Sequence, residues 1–181
     1  MKIFLDTADT DAIEKAYTTG IIDGVTTNPT LIRKSGRDPE EVYQQLIDYG
    51  INDISMEVVG DYNTMFEEGV RLSRKFGKAC TIKVPCTPDG LRVCRELSRD
   101  LVNVNVTLIF SAAQAILAAK SGAKYVSPFV GRVDDNSFSG IELIEQISDI
   151  YTIQNVHKTE ILSASIRDVK SVSDSFASGA H

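Results

Sequence analysis

The chain has 181 residues, 43% of them apolar, with 19 lysines and arginines against 25 aspartates and glutamates for a formal net charge of −6. The apolar share is enough for a substantial core and excludes an intrinsically disordered chain, and the length predicts one domain covering 1–181. The acidic balance argues against a nucleic-acid or membrane-surface partner, while leaving room for a small basic pocket.

Alternating strand and helix signals run along the whole chain. The opening Met1-Lys-Ile-Phe-Leu-Asp6 reads as a strand near 2–7 and reaches a charge too early for a signal-peptide core. Further strand-like segments fall near 24–28, 53–59, 80–86, 102–110, 124–131 and 159–166. Helix-like segments follow most of them, near 10–19, 39–49, 64–77, 88–99, 111–121, 139–153 and 168–178. The longest uncharged run, Leu101–Ala119, contains Asn103, Asn105, Thr107, Ser111 and Gln114, and so reads as strand then helix rather than a membrane span.

Repeated βα units imply a parallel sheet, either doubly wound or closed into a barrel. Side-chain parity separates the two. Asn103, Asn105 and Thr107 share one face against Val102, Val104, Val106 and Leu108; Ser55 and Glu57 oppose Ile54, Met56 and Val58; Thr81 and Lys83 oppose Ile82 and Val84; Ser163 and Ser165 oppose Leu162 and Ala164. A doubly wound sheet is covered by helices on both faces and should be apolar on both. One consistently polar face fits a barrel lumen, so the expected fold is an α/β (β/α)8 barrel. Only seven strands are found before the chain stops at Gly179-Ala-His181, so the expectation is a barrel without its eighth strand and C-terminal helix.

Active sites of such barrels sit at the C-terminal ends of the strands. The polar residues expected there are Asp6, Thr26, Asn28, Glu57 and Lys83, followed by Asn105, Thr107, Ser127, Ser165 and Arg167. Lys83, mid-strand and flanked by apolar residues, stands out. Burying an ammonium is costly unless it is paired, and desolvation disfavours the charged form, which makes a buried lysine a competent nucleophile toward carbonyls. The alternative is a lysine neutralised by an ion pair with Glu57 or Asp6. The two carboxylates are candidates for proton transfer. Asn28, Asn105 and Ser127 suit a hydroxyl-rich substrate, and Arg132 and Arg167, read as closing the sixth and seventh strands beside Ser165, form a candidate phosphate clamp.

Other chemistries find little support. Glycine-rich phosphate loops, HExxH and GxSxG are missing, and His157 and His181 lie outside the expected strand ends, so no metal site is expected. Cys80, Cys86 and Cys94 show neither disulfide nor zinc spacing and suit a reducing cytoplasm.

The ordered segments Phe4-Leu-Asp-Thr7, Gly24-Val-Thr-Thr-Asn-Pro29, Ile82-Lys-Val-Pro85, Asn105-Val-Thr-Leu-Ile-Phe110, Val126-Ser-Pro-Phe-Val-Gly-Arg132 and Ser163-Ala-Ser165 with Arg167 resemble the small-subunit transaldolases and fructose-6-phosphate aldolases, which are Schiff-base enzymes. The resemblance implies that Lys83 attacks the C2 carbonyl of a ketose phosphate. It implies that Glu57 and Thr107 relay protons through a water, and that Asp6 takes the C4-hydroxyl proton. Asn28, Asn105 and Ser127 would hold the hydroxyls of the retained dihydroxyacetone unit, Arg132, Ser165 and Arg167 would bind phosphate, and Thr26 and Phe129 complete the expected substrate-binding residues. No cofactor is implied, and a ring-like homo-oligomer, pentamer or decamer, is. At Glu57 and Phe129 the aldolase branch carries Gln and Tyr, so the resemblance favours transaldolase. Fructose-6-phosphate aldolase is the alternative within the class, and a non-catalytic sugar-phosphate-binding barrel the alternative outside it.

Overall fold

The computed structural model describes residues 1–181 and divides into two compact units, Lys2–Lys83 and Val84–His181 together with Met1. In the first unit the strands are β1 (Phe4–Asp6), β2 (Gly24–Thr26), β3 (Ile54–Glu57) and β4 (Cys80–Pro85), the last running into the second unit. They alternate with α1 (Thr10–Tyr17), the successive helices α2 (Pro29–Ser35) and α3 (Pro39–Asp48), and α4 (Tyr62–Phe76). Pairing is parallel throughout, β1 with β2, β2 with β3 and β3 with β4, the last in the register Ser55↔Thr81 and Glu57↔Lys83.

The second unit holds α5 (Pro88–Arg99), β5 (Asn103–Ile109), α6 (Ala112–Lys120), β6 (Tyr125–Pro128), α7 (Val130–Asp134), α8 (Gly140–Ile153), β7 (Glu160–Ile161) and α9 (Val169–Ala177). β5 pairs with β6 and β6 with β7, again parallel. In each unit the strand order in the sheet follows the chain. The α/β class and parallel pairing therefore agree with the βα reading.

The helices start where the sequence supplies an acceptor. Asp9, Asn28, Asp38, Asp61, Thr87, Ser111, Ser139 and Asp168 each accept from first-turn amides of the helix that follows, worth about 1 kcal/mol per cap. Proline occupies the first turn of α2, α3 and α5, where its missing N–H costs nothing.

In β3, β4 and β5 residues of both faces are buried. Ile54, Met56 and Val58 are in the core, and so are Ser55, Thr81 and Lys83 from the polar face; in the second unit Val104 and Val106 alternate with buried Asn105 and Thr107. Each fully buried large aliphatic side chain contributes about 1.5–3 kcal/mol.

Three expectations need correction. The stretch read as a strand through Asn28 ends at Thr26, and Asn28 caps the unforeseen helix α2 through Leu31 N–H (3.0 Å). Arg132 does not close the sixth strand but sits in the short helix α7. The seventh strand is two residues long, so Ser163, Ser165 and Arg167 lie beyond it; only an isolated bridge, Phe129↔Ala164, extends the pairing. Ser165, one residue past that bridge, takes φ 58°, a left-handed conformation in which extended structure does not continue. No helix is long and apolar enough to cross a membrane.

Candidate active site

In the first unit the parallel register places Glu57 directly beside Lys83 on neighbouring strands. Lys83 Nζ lies 3.0 Å from Glu57 Oε2, and the Lys83 and Glu57 side chains retain only 7% and 14% of their exposure. The same Nζ donates to the Thr27 carbonyl at 3.0 Å. The ion pair weighed against a nucleophile in the sequence is therefore present. It does not exclude nucleophilic chemistry, since the carboxylate that neutralises the ammonium is also a proton acceptor in contact with it. Asp6, at the end of β1, is exposed and accepts from Thr26 Oγ at 2.9 Å, a pairing that follows from the Asp6↔Thr26 register. A cavity of about 390 Å³ opens beside Glu57, lined among others by Pro29, Ile32, Tyr43, Arg71 and Leu72.

In the second unit Asn105 and Ser127 meet on adjacent strands, Ser127 Oγ donating to Asn105 Oδ1 at 2.9 Å with both residues buried. Thr107 Oγ is also buried but has no hydrogen-bond partner. Next to it the β5–β6 ladder slips: Val106 faces Val126, but the next pair is Ile109 and Pro128, and Leu108 adopts φ 60°. A bulge that holds a leucine in the left-handed region beside an unpartnered hydroxyl is the kind of strain that collects at functional sites.

The basic cluster lies in the same unit. Arg132 stacks over the Phe129 ring (4.8 Å to the centroid), and Phe129 packs edge-on against Phe110 at 5.7 Å. Arg167 makes a two-pronged contact with Asp135, one turn beyond Arg132. That hydrogen-bonded guanidinium holds the Asp135 carboxyl below the usual carboxylate range. Gly131 sits between the pieces: a Cβ there would lie 2.4 Å from Ser165 O and 2.7 Å from Arg167 Nε, so only glycine allows this approach.

The structure thus gathers Asp6, Thr26, Glu57 and Lys83 among neighbouring strands of the first unit. In the second it pairs Asn105 with Ser127 and brings Gly131 against Ser165 and Arg167. Thr27, Tyr43 and Asp135 went unnoticed in the sequence. Thr27 falls on the apolar side of the parity pattern, where a threonine passes for filler. Asp135 did carry a signal, since Arg132-Val-Asp-Asp135 places an acid three residues after a candidate anion ligand.

The transaldolase/fructose-6-phosphate aldolase family model matches residues 3–181. A probable transaldolase of Nitrosopumilus maritimus is 50% identical over 168 residues, covering 92% of this chain and 75% of that protein. One from Paracoccus denitrificans is 51% identical over 181 residues (99% and 82%), and one from Clostridium botulinum 47% identical over 182 (100% and 83%). Among solved structures, a mutant flavocytochrome b2 with benzoylformate matches with a TM-score of 0.66 at 14% identity, over 87% of this chain and 47% of that one, which is a likeness of fold alone. These relatives place the chain among enzymes of the aldolase and transaldolase type. It belongs to the transaldolase/fructose-6-phosphate aldolase family.

Proposed function

We propose that the protein is a transaldolase that moves a dihydroxyacetone unit from a ketose phosphate (sedoheptulose 7-phosphate or fructose 6-phosphate) to an aldose phosphate (glyceraldehyde 3-phosphate or erythrose 4-phosphate). It works through a Schiff base on Lys83, within the pentose phosphate pathway of the cytoplasm, as a single (β/α) barrel domain. The observation that carries this reading is the buried Lys83 amine held between a carboxylate and a backbone carbonyl.

The chemistry runs as follows. The amine, having passed a proton to Glu57, adds to C2 of the ketose, and the carbonyl oxygen takes up a proton. Loss of water from the carbinolamine leaves an iminium, with Glu57 and Thr107 moving the protons. Asp6 removes the C4-hydroxyl proton, the C3–C4 bond breaks, and its electron pair flows into the iminium to give an enamine as the aldose phosphate departs. The enamine carbon then attacks the acceptor aldehyde and the steps reverse. The unpartnered Thr107 hydroxyl and the exposed Asp6 carboxylate support these assignments. Asn28, Asn105 and Ser127 hold the hydroxyls of the retained three-carbon unit, Arg132, Ser165 and Arg167 bind the phosphate, and Thr26 and Phe129 complete the substrate-binding residues. The reaction as drawn needs no metal or organic cofactor. Its partners are sugar phosphates and further copies of the chain, not nucleic acid or membrane.

Borohydride reduction in the presence of fructose 6-phosphate tests the mechanism: a dihydroxyacetone adduct is expected on Lys83, and its absence overturns the Schiff-base step. Release of free dihydroxyacetone as fast as transfer to erythrose 4-phosphate would instead identify a fructose-6-phosphate aldolase.

A further inference from the structure

We infer that Thr27 is a positioning residue for the Lys83 amine, acting through its own carbonyl; the inference rests on the reading of Lys83 as the Schiff-base nucleophile. A neutral amine has two N–H bonds and one lone pair. In the structure two directions around Nζ are taken, by Glu57 Oε2 and by the Thr27 carbonyl oxygen, both at 3.0 Å. With one N–H held on the Thr27 carbonyl the amine cannot turn freely about Cε–Nζ, so the lone pair left when Glu57 takes a proton has two directions open to it, one facing Glu57 and one along which a substrate carbonyl can approach.

The two acceptors differ in kind. Glu57 can accept a proton, whereas a peptide carbonyl can only receive a hydrogen bond. Glu57 is thus suited to move the proton and Thr27 to hold the nitrogen while it moves. The iminium keeps a single N–H, so one of the two contacts is surrendered during the reaction. The carbonyl that remains must not drift.

Thr27 is built to prevent that drift. It is completely buried, directly after the last residue of β2. Its N–H and its Oγ both donate to the Ser55 carbonyl of β3, at 3.1 and 3.0 Å. Because the hydroxyl proton is used there, the 3.4 Å contact with Tyr43 must be donated by the phenol. Burial pushes the Tyr43 hydroxyl above its ordinary range and keeps it a donor. Tyr43 is fixed in turn by an edge-on contact with Phe76 at 5.9 Å. The side-chain hydroxyl thus locks the peptide whose carbonyl touches Lys83.

The test compares Thr27→Val, which keeps shape and carbonyl but deletes the hydroxyl, with Thr27→Ser, which keeps the hydroxyl. In Thr27→Val the rate of borohydride-trapped adduct formation and kcat are expected to fall about tenfold, the scale of one lost hydrogen bond. KM for fructose 6-phosphate should stay within about twofold, because no group that binds substrate is removed. Thr27→Ser is expected to recover most of the rate. Trapping in Thr27→Val at the parent rate overturns the inference, as does an unrecovered rate in Thr27→Ser. Should Thr27→Val fail to fold, Tyr43→Phe replaces it, with trapping expected to slow about threefold and an unchanged rate counting against the role. The parent protein separates the two levels: no Lys83 adduct there removes the Schiff-base reading itself, whereas an adduct formed equally fast in parent and variant removes only the role of Thr27.

Discussion

Lys83 Nζ and Glu57 Oε2 sit 3.0 Å apart with both side chains almost wholly withdrawn from water. Removing one member of such a pair leaves the other charge buried and uncompensated, at a cost of about 3 kcal/mol or more. Lys83→Ala is therefore expected to lose both turnover and stability. The double variant Lys83→Ala/Glu57→Gln is expected to regain most of the stability and none of the activity, since a neutral amide no longer needs a cation. Urea denaturation of the single and double variants decides it. A double variant no more stable than Lys83→Ala would show that the pair is not what the fold depends on at this position.

Arg167 binds Asp135 although both side chains are about half exposed, at 52% and 51%. An ion pair in that setting contributes little to stability. Its effect on function should be larger, because Asp135 occupies the guanidinium that a substrate phosphate would use. The carboxyl is held below its usual range by Arg167, so the competition persists at neutral pH and fades only as acid protonates Asp135. Asp135→Asn is expected to shift the urea midpoint barely and to lower KM for phosphorylated substrates, whereas Arg167→Ala and Arg132→Ala raise it about tenfold. Unchanged KM in both arginine variants would remove the phosphate clamp from the mechanism.

Much of this arrangement is legible without coordinates because it depends on strand parity. Lys83 and Glu57 fall on the polar side of their strands, and a parallel register makes them neighbours. What escapes the pattern is short or strained. Helix α2 spans Pro29–Ser35, and Asn28 followed by proline is a proper start signal, but a seven-residue helix offers too few turns for a hydrophobic period to show. Helix α7 has no side-chain cap, and its Phe129-Val130 entrance reads as strand. The left-handed residues Leu108 and Ser165 cannot be foreseen at all, because neither is a residue type that favours φ near +60°.

Cys80 and Cys94 are buried thiols whose pKa is pushed up to about 12 by desolvation, and half-buried Cys86 is raised for the same reason. The thiolate is the reactive form, and at pH 8 it is scarce at all three sites. In the native protein iodoacetamide is expected to label Cys86 slowly and to leave Cys80 and Cys94 intact, with all three reacting after denaturation in guanidinium. Peptide mapping reads the outcome directly. Fast native labelling of Cys94, whose Sγ lies 3.5 Å from the Ser121 carbonyl, would mean that α5 opens far more often than its packing implies.

Ser165 carries two separable properties, a hydroxyl assigned to phosphate and a backbone at φ 58°. A left-handed conformation costs a non-glycine residue about 1–2 kcal/mol, and its carbonyl is anchored there by Gly131 N–H at 3.1 Å. Glycine relieves that strain but gives back about 0.5–1 kcal/mol through greater chain entropy. Ser165→Gly should consequently be at least as stable as the parent, by up to about 1.5 kcal/mol. Valine, branched at Cβ, meets the left-handed region least well, so Ser165→Val should be the least stable. Function should sort differently. Ser165→Gly and Ser165→Ala both lose the hydroxyl and are expected to share a KM for phosphorylated substrates raised about tenfold or more, the value of one hydrogen bond to a charged group. Thermal unfolding and steady-state kinetics on the three variants separate the effects. Stability and KM rising and falling together across the series would mean that the hydroxyl has no role of its own.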